Sequence, residues 1–365
     1  MTYRFAWYPS LDNIEFPADA YDALLSRMAT VTPFNRLAWL RACAMHLDGA
    51  RLGVLTAWVG ERLVLCLPLV AGRERRLGLR WTVVRHLGYP LADRIVLAAE
   101  TDLPGLLEHA LTHIRRQLPH ALLQLNEVLP VAKAETELAA WGGRSSTWLR
   151  EVSCRVPEHR IVPEDREEPS GDVRYKLRRA RKRCTEAGAV LRRVQPTLDT
   201  IGPLLNELAE VELASWKGED NVGLFSAHCR PQIEAALTAL AAEGRVRVVL
   251  LELQGQCISY RLALLENARL YDYNLAYHPD HARLGSGRLL LHEWIIWGLE
   301  AGWEWVDASR VNLHNSNHQL HERMDGLVEH GRWSFYSRRP GGLVLGLAHR
   351  AWLVLKPRLN REATV

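Results

Sequence analysis

The residues of this chain best suited to chemistry lie between Tyr271 and Glu293, YDYNLAYHPDHARLGSGRLLLHE. The segment reads as an aromatic-rich strand, a short polar turn, a Gly-Ser-Gly step and an amphipathic helix. Glycines at a helix start let backbone N–H groups approach a phosphate or pyrophosphate closely. Gly285, Ser286 and Gly287 would form that cradle, with Arg283 and Arg288 beside it to pair with the charge. A lone Gly-x-Gly is also an ordinary loop; the flanking strand and helix supply the context a phosphate site requires.

Three further groups of residues could take part. Asn312 to His321 contains His314, His318 and His321, with Glu322 and Asp325 close by. These could supply a base near neutral pH, and His314 is our candidate; a zinc site is the lesser reading, and none is assigned. Arg174 to Arg183, RYKLRRARKR, has seven Lys or Arg in ten positions. It is either a solvated helix face or a surface for an anionic partner. Trp216 and Lys217 are candidates for the wall of a cleft.

Elements must hold these groups in place. The 365 residues exceed one ordinary core and point to two domains. Apolar residues make up 48% and charged residues 24%, a globular composition, and the net charge of +4 selects no partner. The six cysteines form no Cys-x-x-Cys pair and read as reduced thiols. No basic stretch followed by an apolar run opens the chain. No apolar run reaches about 18 residues, so a membrane span is not expected and a cytoplasmic enzyme is the default.

Helices are expected over Ala18–Arg27, Asn35–His46, Leu103–Gln117, Asp172–Ala187, Leu198–Trp216, Ala227–Glu243 and Gly287–Gly302. Strands are expected over Arg51–Val59, Arg62–Val70, Trp81–Gly88, Asp93–Ala98, Ala121–Glu127, Arg245–Leu253, Gln256–Leu265, Arg269–Tyr277, Trp303–Ala308 and Val328–Ser337. Pro157–Gly171 is charged, Pro-rich and aperiodic, and reads as a linker. The halves echo each other: RLGVLTAWVGERLVLCLPL and RVRVVLLELQGQCISYRLAL are both hairpins around one turn glycine, Gly60 or Gly255. We therefore divide the chain into a first domain (1–156), a linker (157–171), a second domain with the Gly-x-Gly turn (172–339) and an apolar, basic tail (340–365). The tail fits a helix docked on the body, an interfacial membrane helix or a dimer contact. The oligomeric state is not readable.

On these motifs the chain resembles the CelD-like branch of the GNAT superfamily of N-acyltransferases. The resemblance is carried by Ala276-Tyr277-His278-Pro279, Gly285 to Leu291, Gly302-Trp303-Glu304-Trp305-Val306-Asp307, the basic helix Lys176 to Gly188, and ELASWK (Glu212 to Lys217). In the first half it rests on the hairpin and on GYPLADR (Gly88 to Arg94). Two features depart from the family pattern: Ala282 stands where a Gln or Arg is usual, and Ser309 to Met324 lacks the usual Tyr-Lys pair.

The resemblance implies an α/β fold with two tandem GNAT-like domains, each a twisted mixed sheet flanked by helices. It implies an acyl-CoA or acyl-carrier-protein thioester donor, held in the second domain only, between splayed strands near Leu275 and Val306. Leu275, Ala276 and Tyr277 would line the donor with the Gly-x-Gly turn. Asp307 is expected as base or amine anchor and Tyr273 as acid to the thiolate; Trp216, Lys217, Asp272 and Asn312 are expected to meet a small-molecule or peptide amine. No cysteine or serine motif supports a covalent intermediate, so attack would be direct. Aminoacyl transfer from tRNA, as in Fem-type enzymes, and an inactive binding protein are the alternatives. An acyl carrier protein or tRNA would meet Arg174–Arg183.

Overall fold

The computed structural model describes residues 2–12, 14–45, 47–311 and 324–362. In chain order the first elements are β1 (Arg4–Tyr8), α1 (Ala18–Arg27), α2 (Leu37–Ala44), β2 (Arg51–Val59), β3 (Arg62–Arg76), β4 (Leu79–His86), β5 (Ala98–Ala99), α3 (Leu106–Gln117), β6 (Leu122–Val128), α4 (Ala132–Gly142) and β7 (Thr147–Arg160). There follow α5 (Gly171–Ala187), β8 (Val190–Val194), α6 (Leu198–Ala214), α7 (Trp216–Glu219), α8 (Arg230–Ala242), β9 (Val246–Leu253), β10 (Gln256–Glu266), β11 (Arg269–Tyr277), α9 (Ser286–Ala301), β12 (Trp305–Asp307), β13 (Gly326–Tyr336) and α10 (Pro340–Glu362). The chain divides into two compact units, one of Met1–Ser153 with His330–Val365, the other of Cys154–Glu329.

In the first unit β1 to β4 run antiparallel in order, β4 pairs in parallel with β6, and β6 pairs antiparallel with β13. β2 and the first half of β3 are near-continuous buried apolar runs, because α3 packs on the one and α1 on the other. Tyr21, Leu24 and Leu25 of α1 and Leu107, Ala110, Leu111 and Ile114 of α3 are buried. Leu345 of α10 packs with Val83, Leu122 and Tyr336.

The second unit has the same order. β8, β9, β10 and β11 run antiparallel, β11 pairs in parallel with β12, and β12 pairs antiparallel with the end of β7, Glu158–Arg160. On one face α9 places Leu290, Leu291, Trp294 and Ile295 against Val249, Ala263, Leu270 and Val306. α6 packs on β10 and β11, and α8 on β9. The hairpin echo in the sequence is therefore β2–β3 against β9–β10 inside two copies of one strand order.

Several expectations change. Pro157–Gly171 is not an aperiodic linker: Pro157–Arg160 continue β7, and Pro163–Arg166 form a helical turn. The units are cut at 153/154 and 329/330 rather than at 157–171 and 339, because the last strand of the first unit, β13, comes late in the chain. The Asp93–Ala98 strand shrinks to Ala98–Ala99 with an isolated bridge at Ile95. The helix expected over Leu198–Trp216 stops at Ala214, where Ser215 turns extended and its hydroxyl caps α7 by accepting from Lys217 N. β1, α4, β7 and β8 were not anticipated from the pattern. Among the described residues no helix is long and apolar enough to cross a membrane.

Leu290 is fully buried between α9 and the sheet. Leu290→Ala is expected to lower unfolding free energy by about 2–5 kcal/mol. Urea denaturation checks this, and an unchanged midpoint would show that the α9–sheet contact is not a core.

Candidate functional site

The site is organised by an irregularity in β11. Leu262 of β10 lies opposite Asn274, but the next residue, Ala263, lies opposite Asp272. Tyr273 is the extra residue of a β-bulge, which breaks the two-residue alternation of a strand. Asp272 and Asn274 consequently face opposite sides: Asp272 meets Trp294 of α9, and Asn274 meets Glu212 of α6. On its other edge β11 pairs with β12 only over Arg269–Tyr271. From Asp272 to Tyr277 no strand lies along that edge among the described residues, and Lys217 Nζ reaches it at Leu275 O; a strand edge of this kind is where an extended ligand can add.

On the α9 side the arrangement is held by a buried ion pair. Arg261 and Asp272 are both fully buried, and Arg261 Nη1 donates to Asp272 Oδ2. The same carboxylate accepts from Trp294 Nε1 (3.2 Å), Ser309 N (3.2 Å) and Ser309 Oγ (2.7 Å). Arg261 Nε donates to Gly287 O at 3.1 Å. One pair thus ties β10, β11, the chain leaving β12, and the first turn of α9. Asp272 is filled by these partners, so it positions the strand rather than meeting a substrate.

The first turn of α9 is the glycine step. Gly285 has φ +73° and is the N-cap of α9, with no side-chain cap and no acidic residue in the first turn. That left-handed backbone favours glycine, and the first N–H groups of the helix lack intrahelical partners. A β-carbon on Gly285 would stand 3.6 Å from the Ala180 side chain, so α5 lies over this turn. Arg183 Nη1 donates to Arg283 O at 2.7 Å. The basic stretch is partly compensated, since Arg178 and Arg181 pair with Glu168, and Lys176 with Asp172. The structure thus gathers Gly285, Ser286, Gly287, Arg283 and Arg183, with positive potential and helix dipole acting together.

On the α6 side lies a second network. Lys217 Nζ donates to Asn274 Oδ1 and, at 2.7 Å, to Leu275 O on β11; it lies 3.6 Å from Glu212 Oε1. Asn274 Nδ2 donates to Glu212 Oε1 (2.8 Å) and Tyr260 Oη (2.9 Å), and Phe225 N donates to Glu212 Oε2 (2.7 Å). Burial lowers the Lys217 pKa below its ordinary value, against the opposing pull of Glu212. Burial also raises Tyr260 well above its ordinary value, which makes it a neutral hydrogen-bonding group. Leu275 and Lys217 are therefore brought together, while Trp216 is 57% exposed.

The remaining candidates fall as follows. Tyr273 is the half-buried bulge residue, and Tyr277 is exposed at the end of β11. Val306 packs into the α9 core, so Asp307 points to the other face; it is buried and lies 4.0 Å from Arg269 Nη1. Asn312, His314, His318, His321 and Glu322 lie outside the described residues. Burial pushes the Cys257 thiol to about 12, so it is a poor nucleophile at neutral pH.

Sequence reasoning did not single out Glu212 for chemistry, nor Arg261 or Tyr260. A signal existed for two of them: Glu212 continues the buried stripe Leu205, Leu208, Ala209 of α6, and Arg261 interrupts an apolar strand. A charge at a core position is either paired or functional.

The corresponding helix of the first unit begins in the same way but is plugged. Gly105, φ +70°, is the N-cap of α3, yet Leu107 N donates to Glu137 Oε2 at 2.6 Å. The edge of β6 beyond its pairing with β4 is also closed, because Ile95 N donates to Glu127 O and Leu129 N to Ile95 O. A carboxylate thus meets the start of α3, and the edge of β6 is paired.

Residues 171–341 match the family model of the acetyltransferase (GNAT) domain. Among curated proteins none matches the chain. Of solved structures, FemX is similar over 88% of this chain and 96% of its own, at 11% identity and a TM-score of 0.60. The C-terminal domain of a putative lysylphosphatidylglycerol synthetase from Agrobacterium fabrum is similar over 92% and 95%, at 12% identity and a TM-score of 0.57. A tandem GNAT protein from the clavulanic acid biosynthesis pathway is similar over 92% and 98%, at 15% identity and a TM-score of 0.51. At these identities the likeness is one of fold.

Removing one partner of a buried pair strands the other charge. Asp272→Ala is expected to cost about 3–5 kcal/mol of stability, and the double replacement Arg261→Met with Asp272→Leu distinctly less. Urea denaturation of both variants checks this; equal losses would show that the pair is not coupled.

Proposed function

Residues 171–341 are a GNAT acyltransferase domain, and from that premise we propose that the chain moves an acyl group from acyl-CoA, or from an acyl-carrier-protein thioester, to an amine. The observation that carries the donor assignment is that β12 runs beside β11 only as far as Tyr271, so that among the described residues no strand accompanies the rest of β11 toward the Gly285–Gly287 turn. A pantetheine arm has amides that pair with such an edge, and its pyrophosphate suits the start of α9 with Arg183, Arg283 and Arg288 around it. In this reading only the second unit takes donor, because Glu137 and the Ile95 segment occupy the equivalent places in the first.

The chemistry needs few groups. A neutral amine attacks the thioester carbonyl, the N–C bond forms, the C–S bond breaks, and the departing thiolate takes a proton. Backbone N–H groups at the Tyr273 bulge would polarise the carbonyl. Asp307, at the point where β11 and β12 separate, is the candidate base or amine anchor, and Tyr273 a candidate acid. Lys217 is the second acid candidate: it sits on the open edge at Leu275 O, and its lowered pKa moves it toward that of the thiolate it would protonate. The acceptor is a small-molecule or peptide amine, with Trp216 and Asn312 as proposed contacts.

A second reading rests on the seven cationic residues of α5: aminoacyl transfer from tRNA, of the Fem type, with the nucleic-acid backbone along Arg174–Arg183. We place the enzyme in the cytoplasm, where either donor is found.

Differential scanning with CoA, acetyl-CoA and bulk tRNA separates the readings. CoA at roughly 100 times its Kd is expected to stabilise the protein by about 2.7 kcal/mol. Stabilisation by tRNA alone would favour the second reading, and by neither would contradict both. Asp307→Asn is expected to reduce kcat about 10²–10⁴-fold with the fold intact; near-native turnover removes it from the mechanism. If Lys217 is the acid, it must be protonated, so kcat falls as pH rises through its lowered pKa. Lys217→Met should then lower kcat and remove that alkaline limb, and an unchanged limb would exclude Lys217.

A further inference from the structure

The first unit contains a cationic cavity that acyl transfer in the second does not use. Thr112, Arg115, Arg116, His120, Ser337, Arg338 and Arg339 enclose about 530 Å³. This lies within the roughly 300–1,000 Å³ range of small-molecule sites. No carboxylate lines it. Among the described residues, none of Arg116, Arg338 and Arg339 has a carboxylate at ion-pair distance. Arg115 and Arg339 lie close enough to His120 to help lower its pKa, after burial as the main cause, and Arg115 Nη1 also donates to Arg144 O at 2.9 Å. Four like charges around one cavity repel each other, and an anion would relieve that repulsion.

Two further observations give the cavity a direction. Leu343 N donates to Arg339 O, so the helix α10 starts at this wall and its first N–H groups have no intrahelical partners. Pro340, which has no N–H, opens that helix and Gly341 and Gly342 follow; a β-carbon on Gly342 would stand 2.6 Å from Ser337 Oγ and collide with Ser337 O. Glycine there lets Ser337 sit directly beside the first turn. Ser337 is 6% exposed, and its hydroxyl has no hydrogen-bond partner although it lines the cavity. A buried hydroxyl left without a partner costs free energy unless a ligand satisfies it.

We propose that this cavity binds a phosphate group. The amides that open α10 and Ser337 Oγ would hold two oxygens, and Arg115, Arg116, Arg338 and Arg339 would neutralise the charge, with Arg forks suited to bidentate contact. The phosphate belongs to a soluble phosphorylated molecule or to a phospholipid headgroup; α10 also exposes Leu343, Val344, Leu347 and Trp352.

The test uses the full chain with two probes: inorganic phosphate by calorimetry, and phosphatidylglycerol against phosphatidylcholine vesicles by co-sedimentation. Variants are Arg338→Ala with Arg339→Ala, Ser337→Ala, and, as a control, Arg51→Ala, an exposed arginine that lines neither this cavity nor the α9 turn. At least one probe should bind the wild type. The double variant should weaken that binding about tenfold or more, Ser337→Ala less, and Arg51→Ala not at all. Binding of phosphate identifies a soluble ligand; binding of phosphatidylglycerol vesicles alone identifies a lipid. Binding of neither, or binding untouched by the double variant, overturns the proposal. Melting temperatures within the wild-type range confirm that the exposed arginines were removed without unfolding the unit.

Discussion

The second unit depends on the buried pair of Arg261 and Asp272. Two opposite charges in a dry interior attract strongly, but both have lost their water. The loss is offset in part by further bonds: Trp294 and both donors of Ser309 bond to Asp272, and Arg261 Nε donates to the carbonyl of Gly287, while Arg261 Nη2 is buried without a hydrogen-bond partner. Geometry follows from those bonds. The pair holds the bulged strand, the exit of β12 and the opening turn of α9 in one fixed relation. A carboxylate beside the glycine turn would repel a phosphate if it were bare; here it is spent on arginine and faces inward.

The bulge at Tyr273 then separates positioning from chemistry. Before it, the strand offers Asp272 to the α9 side. After it, Asn274 turns to α6, where Glu212, Tyr260 and Lys217 close a second network. One side carries structural charge, the other a lysine at the open edge whose ammonium is weakened by burial. A regular strand could not present these two neighbours to two faces. The first unit shares the strand order and the left-handed glycine at the helix start, yet Glu137 sits where an anion would.

Much of this was legible in the sequence because it was periodic or punctuated. The strand–glycine–helix step, the basic helix and the paired hairpins follow from alternation, from glycine spacing and from charge. The bulge was not legible, since nothing in YDYNLAY marks which residue lies outside the ladder; pairing with β10 decides it. Asp272 therefore read as a substrate group when it is a buried anchor. The strand exchange of β7 and β13 was equally hidden, because long-range pairing sets it and the charged, proline-rich run at Pro157 concealed the end of a strand. Glu212 and Arg261 were visible as charges at core positions, but burial alone does not say what pairs with them.

The central claim is that a thioester donor runs along the open edge of β11 to the start of α9. Hydrogen–deuterium exchange with and without CoA tests it directly, because an edge amide that pairs with a ligand exchanges more slowly. CoA is expected to protect Asp272–Tyr277 and the first turn of α9 from Ser286, and to leave the first turn of α3 at Leu106 unchanged. Protection at α3, or CoA binding with no change along β11, would contradict the account.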